Sequence, residues 1–142
     1  MQLTSRKFAA VVGNLKQAAE SSGSDKRQFT RIEVQARISM AILRNGELTS
    51  IFTGLTRDVS MAGLGIFQAI DLQAGTELVI NLPGEDGSPL LMRCVVKHCR
   101  MIANGIFSVG ATFVAEANDE LAAQWLRSDS DATERIRSRI LA

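Results

Sequence analysis

The chain has 142 residues, which is enough for one hydrophobic core but not comfortably enough for two. Its composition, 46% hydrophobic and 22% charged, is that of a globular protein. The sequence contains no run of about 18 apolar residues, so we predict no membrane span. A net charge of +1 argues against broad nucleic-acid binding, and the first residues lack the pattern of a secretory signal, so we expect a cytoplasmic protein without a membrane partner.

Charge is distributed unevenly along the chain. Residues 1–31 carry six Lys/Arg and two Asp/Glu (net +4), whereas the remaining residues carry ten and thirteen (net −3). A basic arm beside an acidic body indicates that the arm handles an anion.

The first segment has the pattern of an amphipathic helix. Ser5 is a candidate cap at its start, and apolar residues recur at spacings of three and four at Phe8, Val11, Val12, Leu15, Ala18 and Ala19. Residues 21–25 read as a break. We expect residues 1–23 to form a helix and linker, with the helix packed on its own domain or on a second subunit, which leaves a homodimer open.

From residue 32 the apolar period changes to two, which is typical of strands with one buried face. Asn45-Gly46 is a strong hairpin signal between the first two strands. We predict six strands, at 32–42, 48–59, 63–69, 76–82, 90–102 and 106–114. Tight turns between them favour an antiparallel β-barrel, so the fold class is mainly β with helices at both ends.

The two cysteines, Cys94 and Cys99, are five residues apart in the predicted fifth strand. An odd spacing within a regular strand points side chains to opposite faces, so we expect no bond between them and no chemical role.

A second helical pattern begins after Asn118, a candidate cap, and its apolar stripe includes Trp125, which we expect to plug the open end of the barrel. We expect residues 127–142 to form a helical tail, with Ile136 and Ile140 on one side.

Two short motifs carry polar groups suited to a ligand. Arg27 and Arg31 lie in "RQFTR" before the first strand, and Asp58, Ser60 and Gly63 lie in "DVSMAG" at the end of the second. An antiparallel hairpin between the motifs returns the chain to its start, so we expect them to meet at one end of the barrel.

The chemistry of these residues matches a ligand that combines guanine and phosphate. Two guanidiniums can fork onto phosphate oxygens or the O6/N7 edge of guanine. The Asp58 carboxylate can accept hydrogen bonds from the N1–H and N2 amine of guanine, and the Ser60 hydroxyl can hold phosphate or base. Gly63 would permit a positive φ and close approach of a ligand.

The two motifs match RxxxR and [D/N]xSxxG, and "VGATF" at 109–113 is similar to a Gly-x-x-Phe near the last strand. Over residues 24–126 the chain therefore resembles the PilZ domain family.

The resemblance implies a receptor for the bacterial second messenger cyclic di-GMP. Arg27 and Arg31 would hold phosphate and guanine, Asp58 and Ser60 would hold guanine, and Gly63 would shape the turn. A basic residue just before RxxxR accompanies binding of two stacked ligands in the family; here it is Lys26, and we expect two ligands although Lys lacks the planar fork of Arg. We expect no cofactor and no metal.

We expect a receptor and not an enzyme, because no acid/base pair or nucleophile stands out. Ligand would order the arm at 21–31, move the N-terminal helix and create a surface for an unidentified effector protein. The alternatives are a ligand-independent adaptor of the same family and a small nucleic-acid-binding barrel, which the acidic body disfavours. Arg57 and Arg100 are weaker candidates for an additional ligand contact, and we assign both to surface charge. His98 lacks companion ligands for a metal.

Overall fold

A computed structural model describes residues 1–18 and 31–129. Helix α1 (Ser5–Ala18) precedes the strands, and a helix α2, described over residues 119–129, follows them. A short 3-10 turn (Glu85–Gly87) lies between β6 and β7. The strands are β1 (Ile32–Glu33), β2 (Arg37–Arg44), β3 (Glu47–Leu48), β4 (Phe52–Val59), β5 (Gly63–Gln68), β6 (Glu77–Pro83), β7 (Pro89–Ala103) and β8 (Ile106–Glu116).

Six of the strands close into an antiparallel barrel, as predicted. Their order is β4-β5-β8-β7-β6-β2, and β2 pairs back onto β4 in the register Ile38↔Gly54. Closure leaves the long strands without a free edge. The two-residue strands β1 and β3 are short extensions that pair with β4 and β2.

The first two predicted strands are each interrupted, which the alternating pattern does not show. Between β1 and β2 the chain pairs with the side chain of Thr56, whose hydroxyl donates to Val34 O while Ala36 N donates to Thr56 Oγ1 at 2.9 Å. The hairpin between β2 and β3 turns at Asn45 and Gly46, which both adopt positive φ (52° and 80°) as a two-residue I′ turn requires.

Helix α1 belongs to the main core of the barrel. Thr4, rather than Ser5, caps it, because Lys7 N donates to Thr4 Oγ1 at 3.2 Å. Its buried residues Val11 and Leu15, with Leu3 just before the helix, join the same apolar cluster as the inward-facing side chains of the strands. Of the two packing partners left open by the sequence, the helix therefore packs on its own barrel.

The position of α1 is fixed by polar contacts at one end of the barrel. Asn14 Nδ2 donates to Gly84 O at 2.7 Å, and Arg6 forms an ion pair with Glu85 at 2.9 Å, both beside the 3-10 turn. Helix α1 therefore covers the barrel end at which β6 gives way to β7.

Trp125 does not plug the barrel, so that prediction is wrong. It lies in a second apolar cluster with Leu121 and with Ala41 and Val79, which are cross-strand partners on β2 and β6. Their neighbours Met40 and Ile80 face the main core, so α2 packs on the outer face of the sheet. The predicted cap is confirmed, since Leu121 N donates to Asn118 Oδ1 at 2.9 Å.

The prediction that Cys94 and Cys99 face opposite sides is also wrong. The pairing of β7 with β8 shifts between Val96 and His98, so Lys97 is an extra residue that resets the alternation. Both cysteines pack on the main core, Cys94 fully buried and Cys99 partly so, and both are free thiols.

Several predictions concern residues outside the described ranges. They are the ligand residues Lys26 and Arg27, the linker at 21–25, and the tail residues Ile136 and Ile140. Within residues 1–18 and 31–129, no helix has the length and apolar character needed to cross a membrane.

Candidate functional site

The end of β4, the start of β5 and the middle of β7 and β8 border a pocket of about 270 Å³. We call it the motif pocket, because the described residues of both sequence motifs line it. Its lining consists of Arg31, Arg57, Asp58, Ser60, Ala62, Gly63, Leu64, Lys97, His98, Gly110, Ala111 and Thr112. The two motifs therefore meet where the hairpin argument placed them, as far as the first motif is described.

Strand β1 brings Arg31 to the pocket. Its two residues pair with the end of β4 in the register Ile32↔Val59 and Glu33↔Asp58. Arg31 precedes this pair, beside Ser60, and is exposed. A long side chain at this position can reach a ligand in the pocket while its charge stays hydrated.

Asp58 lies at the pocket in an ion pair with its neighbour in the chain. Arg57 Nε donates to Asp58 Oδ2 at 2.9 Å, and the two side chains are 27% and 11% exposed. Arg57 Nη1 also donates to Ser108 Oγ on β8. Arg57 is thus part of the pocket wall, and its assignment to surface charge is wrong.

Ser60 organises the turn between β4 and β5. Its hydroxyl donates to Gly63 O at 3.2 Å and accepts from Ala62 N at 3.3 Å and Gly63 N at 3.2 Å. One donor and two acceptor positions are all that a hydroxyl has. A ligand contact of Ser60 stays a prediction, and it requires exchange of one of these bonds.

The turn itself is held from both sides. Leu3 N donates to Met61 O at 2.7 Å, which connects the turn to the residues just before α1. Phe113 N donates to Ala62 O at 2.8 Å, which connects it to β8. One backbone hydrogen bond therefore links the turn at the pocket to the residues before α1, and another links it to β8.

Gly63 acts differently from the prediction. Its φ is not in the positive region, so the expected backbone freedom is not used. A Cβ at this position would lie 2.1 Å from Ala111 O and 2.9 Å from Thr112 Cα. Glycine is needed because the backbone of β8 approaches closely, and the close approach of a ligand stays a prediction.

Lys97 and His98 also line the pocket, although the sequence did not mark them as site residues. Lys97 is the extra residue of the β7 bulge. The His98 ring covers Gly110, the glycine of "VGATF", since a Cβ there would lie 2.2 Å from His98 Nε2. The apolar and polar alternation of a single strand does not reveal a bulge. The only sequence signal for this contact was Gly110 on the opposite strand.

Positive charge predominates in the motif pocket. Arg31, Arg57 and Lys97 face one carboxylate, Asp58, which already pairs with Arg57. Such a surface attracts an anion while keeping one acceptor for N–H groups. No group of three or more His, Cys, Asp or Glu suited to a metal occurs within the described part of the chain.

A larger cavity of about 620 Å³ lies between the β2–β3 hairpin and the start of α2. It contains none of the described motif residues. Its charged lining residues are two arginines, Arg44 and Arg93, and two glutamates, Glu77 and Glu120, so the cavity shows no preference for an anion.

A family model for the PilZ domain matches residues 25–128. The chain belongs to the PilZ domain family. The match spans the motif residues and the whole barrel, which confirms the resemblance seen in the sequence. A search of curated proteins found no match.

Two solved structures resemble this PilZ chain at low sequence identity. One is the Bacillus subtilis inhibitor of motility (MotI/DgrA), with 16% identity, a TM-score of 0.46 and coverage of 78% of this chain and 53% of that one. The other is K. pneumonia MrkH in complex with c-di-GMP, with 14% identity, a TM-score of 0.45 and coverage of 82% and 54%. The chain thus spans about half the length of these proteins.

Proposed function

We propose that this chain is a receptor for cyclic di-GMP and that the ligand binds in the motif pocket. The observation that carries the proposal is that Arg31, Asp58, Ser60 and Gly63, from two motifs far apart in the sequence, line one basic pocket. Membership of the PilZ family and the c-di-GMP named with the MrkH structure point to the same ligand.

The geometry suits both halves of the ligand. The cations Arg31 and Lys97 lie where they can pair with phosphate oxygens, and Asp58 supplies an acceptor for the N1–H and N2 amine of guanine. Lys26 and Arg27, which precede the described part of the pocket, would add cationic groups to the ligand. Binding of two stacked ligands remains part of the proposal.

We further propose that binding changes the conformation of the protein and signals to a partner protein. The ligand would bridge Arg27 and Arg31 to the barrel and contact the turn at Ser60, which could then shift. That turn accepts the backbone hydrogen bond from Leu3, so a shift of the turn would reach α1. The altered position of α1 would be the signal that the partner protein reads.

The test is calorimetric titration of cyclic di-GMP into the wild-type protein and two single variants, Arg31→Ala and Asp58→Ala. Each variant removes a hydrogen bond to a charged group, which contributes about 1.5–3 kcal/mol, so we expect affinity to fall more than about tenfold. The measured stoichiometry separates one ligand per chain from two.

The matched control is Arg44→Ala, which removes an exposed arginine that lines the other cavity. Its affinity should equal that of the wild type. No binding by the wild-type protein, or equal loss in Arg44→Ala and Arg31→Ala, would rule out the proposed site.

A further inference from the structure

Strand β4 contains a bulge inside the motif pocket. Thr56 pairs with Ile66 and Asp58 pairs with Gly65, so two steps along β4 match one step along β5 and Arg57 is the extra residue. Neighbouring side chains in a regular strand point to opposite faces, whereas a bulge can place both on one face. Here it brings Arg57 and Asp58 together on the outer face.

Three contacts hold the Arg57 guanidinium in place. Nε donates to Asp58 Oδ2 at 2.9 Å, and Nη1 donates to Ser108 Oγ. The flat group also lies on Gly65, where a Cβ would be 2.2 Å from Nη2 and 2.5 Å from Cζ of Arg57. Glycine at position 65 therefore makes room for the arginine.

We propose that Arg57 is a positioning residue that orients the Asp58 carboxylate for guanine and thereby sets base selectivity. The inference rests on the proposed function. A carboxyl group with one oxygen anchored cannot rotate freely, and its remaining lone pairs stay available on the pocket side. The positive charge of Arg57 also offsets the repulsion between Asp58 and the ligand phosphates.

Selectivity follows from the hydrogen-bonding pattern of the two purines. Guanine presents two donors, N1–H and the N2 amine, to a carboxylate held in this orientation. Adenine presents a ring nitrogen, N1, that is an acceptor, so a fixed ionised carboxylate repels it. A carboxylate that rotates or is displaced no longer distinguishes guanine from adenine. A loss of positive charge from the pocket, in contrast, weakens the binding of both ligands alike.

The experiment measures the dissociation constants of cyclic di-GMP and cyclic di-AMP for the wild type, Arg57→Ala, Gly65→Ala and Ser108→Ala. Gly65→Ala displaces the guanidinium while keeping the arginine, and Ser108→Ala removes one anchor without altering Arg57 or Asp58. We expect the preference for the guanine ligand to fall at least about tenfold in Arg57→Ala and Gly65→Ala. One well-placed pair of hydrogen bonds to a base provides discrimination of this size. Ser108→Ala should show a smaller fall in the same direction, and Arg44→Ala should show none.

A combined variant distinguishes positioning from a direct contact. If Arg57 acts through Asp58, adding Arg57→Ala to Asp58→Ala changes the preference no further. If both affinities fall by the same factor in Arg57→Ala, the arginine is only a source of charge and the inference is overturned. If the wild type binds neither ligand, the receptor function itself fails and the inference falls with it. Unchanged thermal midpoints show that a variant is folded.

Discussion

Arg57 and Lys97 each occupy the extra position of a β-bulge, one on β4 and one on β7, and both line the motif pocket. A bulge inserts one residue without a partner and re-aims its neighbours. Regular alternation would place Arg57 and Lys97 on the outer face but turn Asp58 and His98 inward. The two irregularities therefore keep Asp58 and His98 at the pocket, beside these two cations. Opposite them, Gly65 and Gly110 are cross-strand partners that leave space for the side chains of Arg57 and His98.

The Cys94 side chain is buried in the main core, and this gives a prediction about pH. Burial raises the pKa of the Cys94 thiol from an ordinary value of 9.0 to about 12. Between these values the unfolded thiol loses its proton while the folded thiol keeps it, so rising pH favours unfolding. The free energy of unfolding should fall by about 1.4 kcal/mol per pH unit in this window from this group, and the stability is fully retained below it.

The measurement is urea unfolding at about pH 8 and about pH 10 for the wild type and Cys94→Ala. All other titrating groups are common to both proteins, so the difference between their pH slopes isolates Cys94. The wild type should lose roughly 1.4 kcal/mol more than the variant across this interval. Identical slopes would contradict the burial of the thiol.

At the scale of elements, the contact between β5 and β8 depends on a missing side chain. Gly63→Ala would place a Cβ 2.1 Å from Ala111 O, and backbone atoms cannot move aside as a flexible side chain can. We expect a loss of about 1–3 kcal/mol of unfolding free energy, as for other overpacked sites. Ligand affinity should fall as well, because the Ser60 turn is displaced.

Gly13→Ala is the matched control for this substitution. Gly13 is exposed within α1, and a Cβ there would have no neighbour within 4 Å. Alanine is a better helix former than glycine, so this variant should gain about 0.5–1 kcal/mol in chemical unfolding. A similar loss in both variants would show that the β5–β8 contact is not the cause.

Element packing also explains the position of Trp125. Strands β2 and β6 carry apolar residues in consecutive positions, so the sheet has an apolar outer face at Ala41 and Val79 as well as an inner one. The outer face needs a cover, and α2 supplies it. The barrel end is covered by α1 instead, whose apolar stripe is long enough to join the core.

At the scale of the whole molecule, the motif pocket and α1 are connected through the turn that holds Ser60. Leu3 N donates to Met61 O in this turn, and Leu3 is itself part of the core. We predict that cyclic di-GMP changes hydrogen exchange in two places, the arm at 21–31 and the amides of residues 3–8 at the start of α1. Hydrogen exchange with mass spectrometry of the free and ligand-saturated protein tests this expectation.

The control is Asp58→Ala, compared with the wild type at a ligand concentration near the wild-type dissociation constant. There its more than about tenfold weaker binding should leave the exchange pattern close to that of the free protein. A change confined to the lining of the motif pocket would mean that the ligand is bound without transmission to α1. The receptor would then need another surface for its partner.

The sequence alone determined the six strands of the barrel, the hairpin at Asn45-Gly46, both helices and the family, because these depend on periodicity, turn chemistry and local motifs. It also determined that Arg31 and Asp58 meet, since antiparallel pairing returns the chain to its start. The tertiary structure decided what the alternation of apolar residues cannot encode. This includes the bulges that turn Asp58 and His98 to the pocket beside Arg57 and Lys97, and the packing of the helices. A bulge or a packing face is set by pairing between strands distant in the chain, so no single segment reveals it.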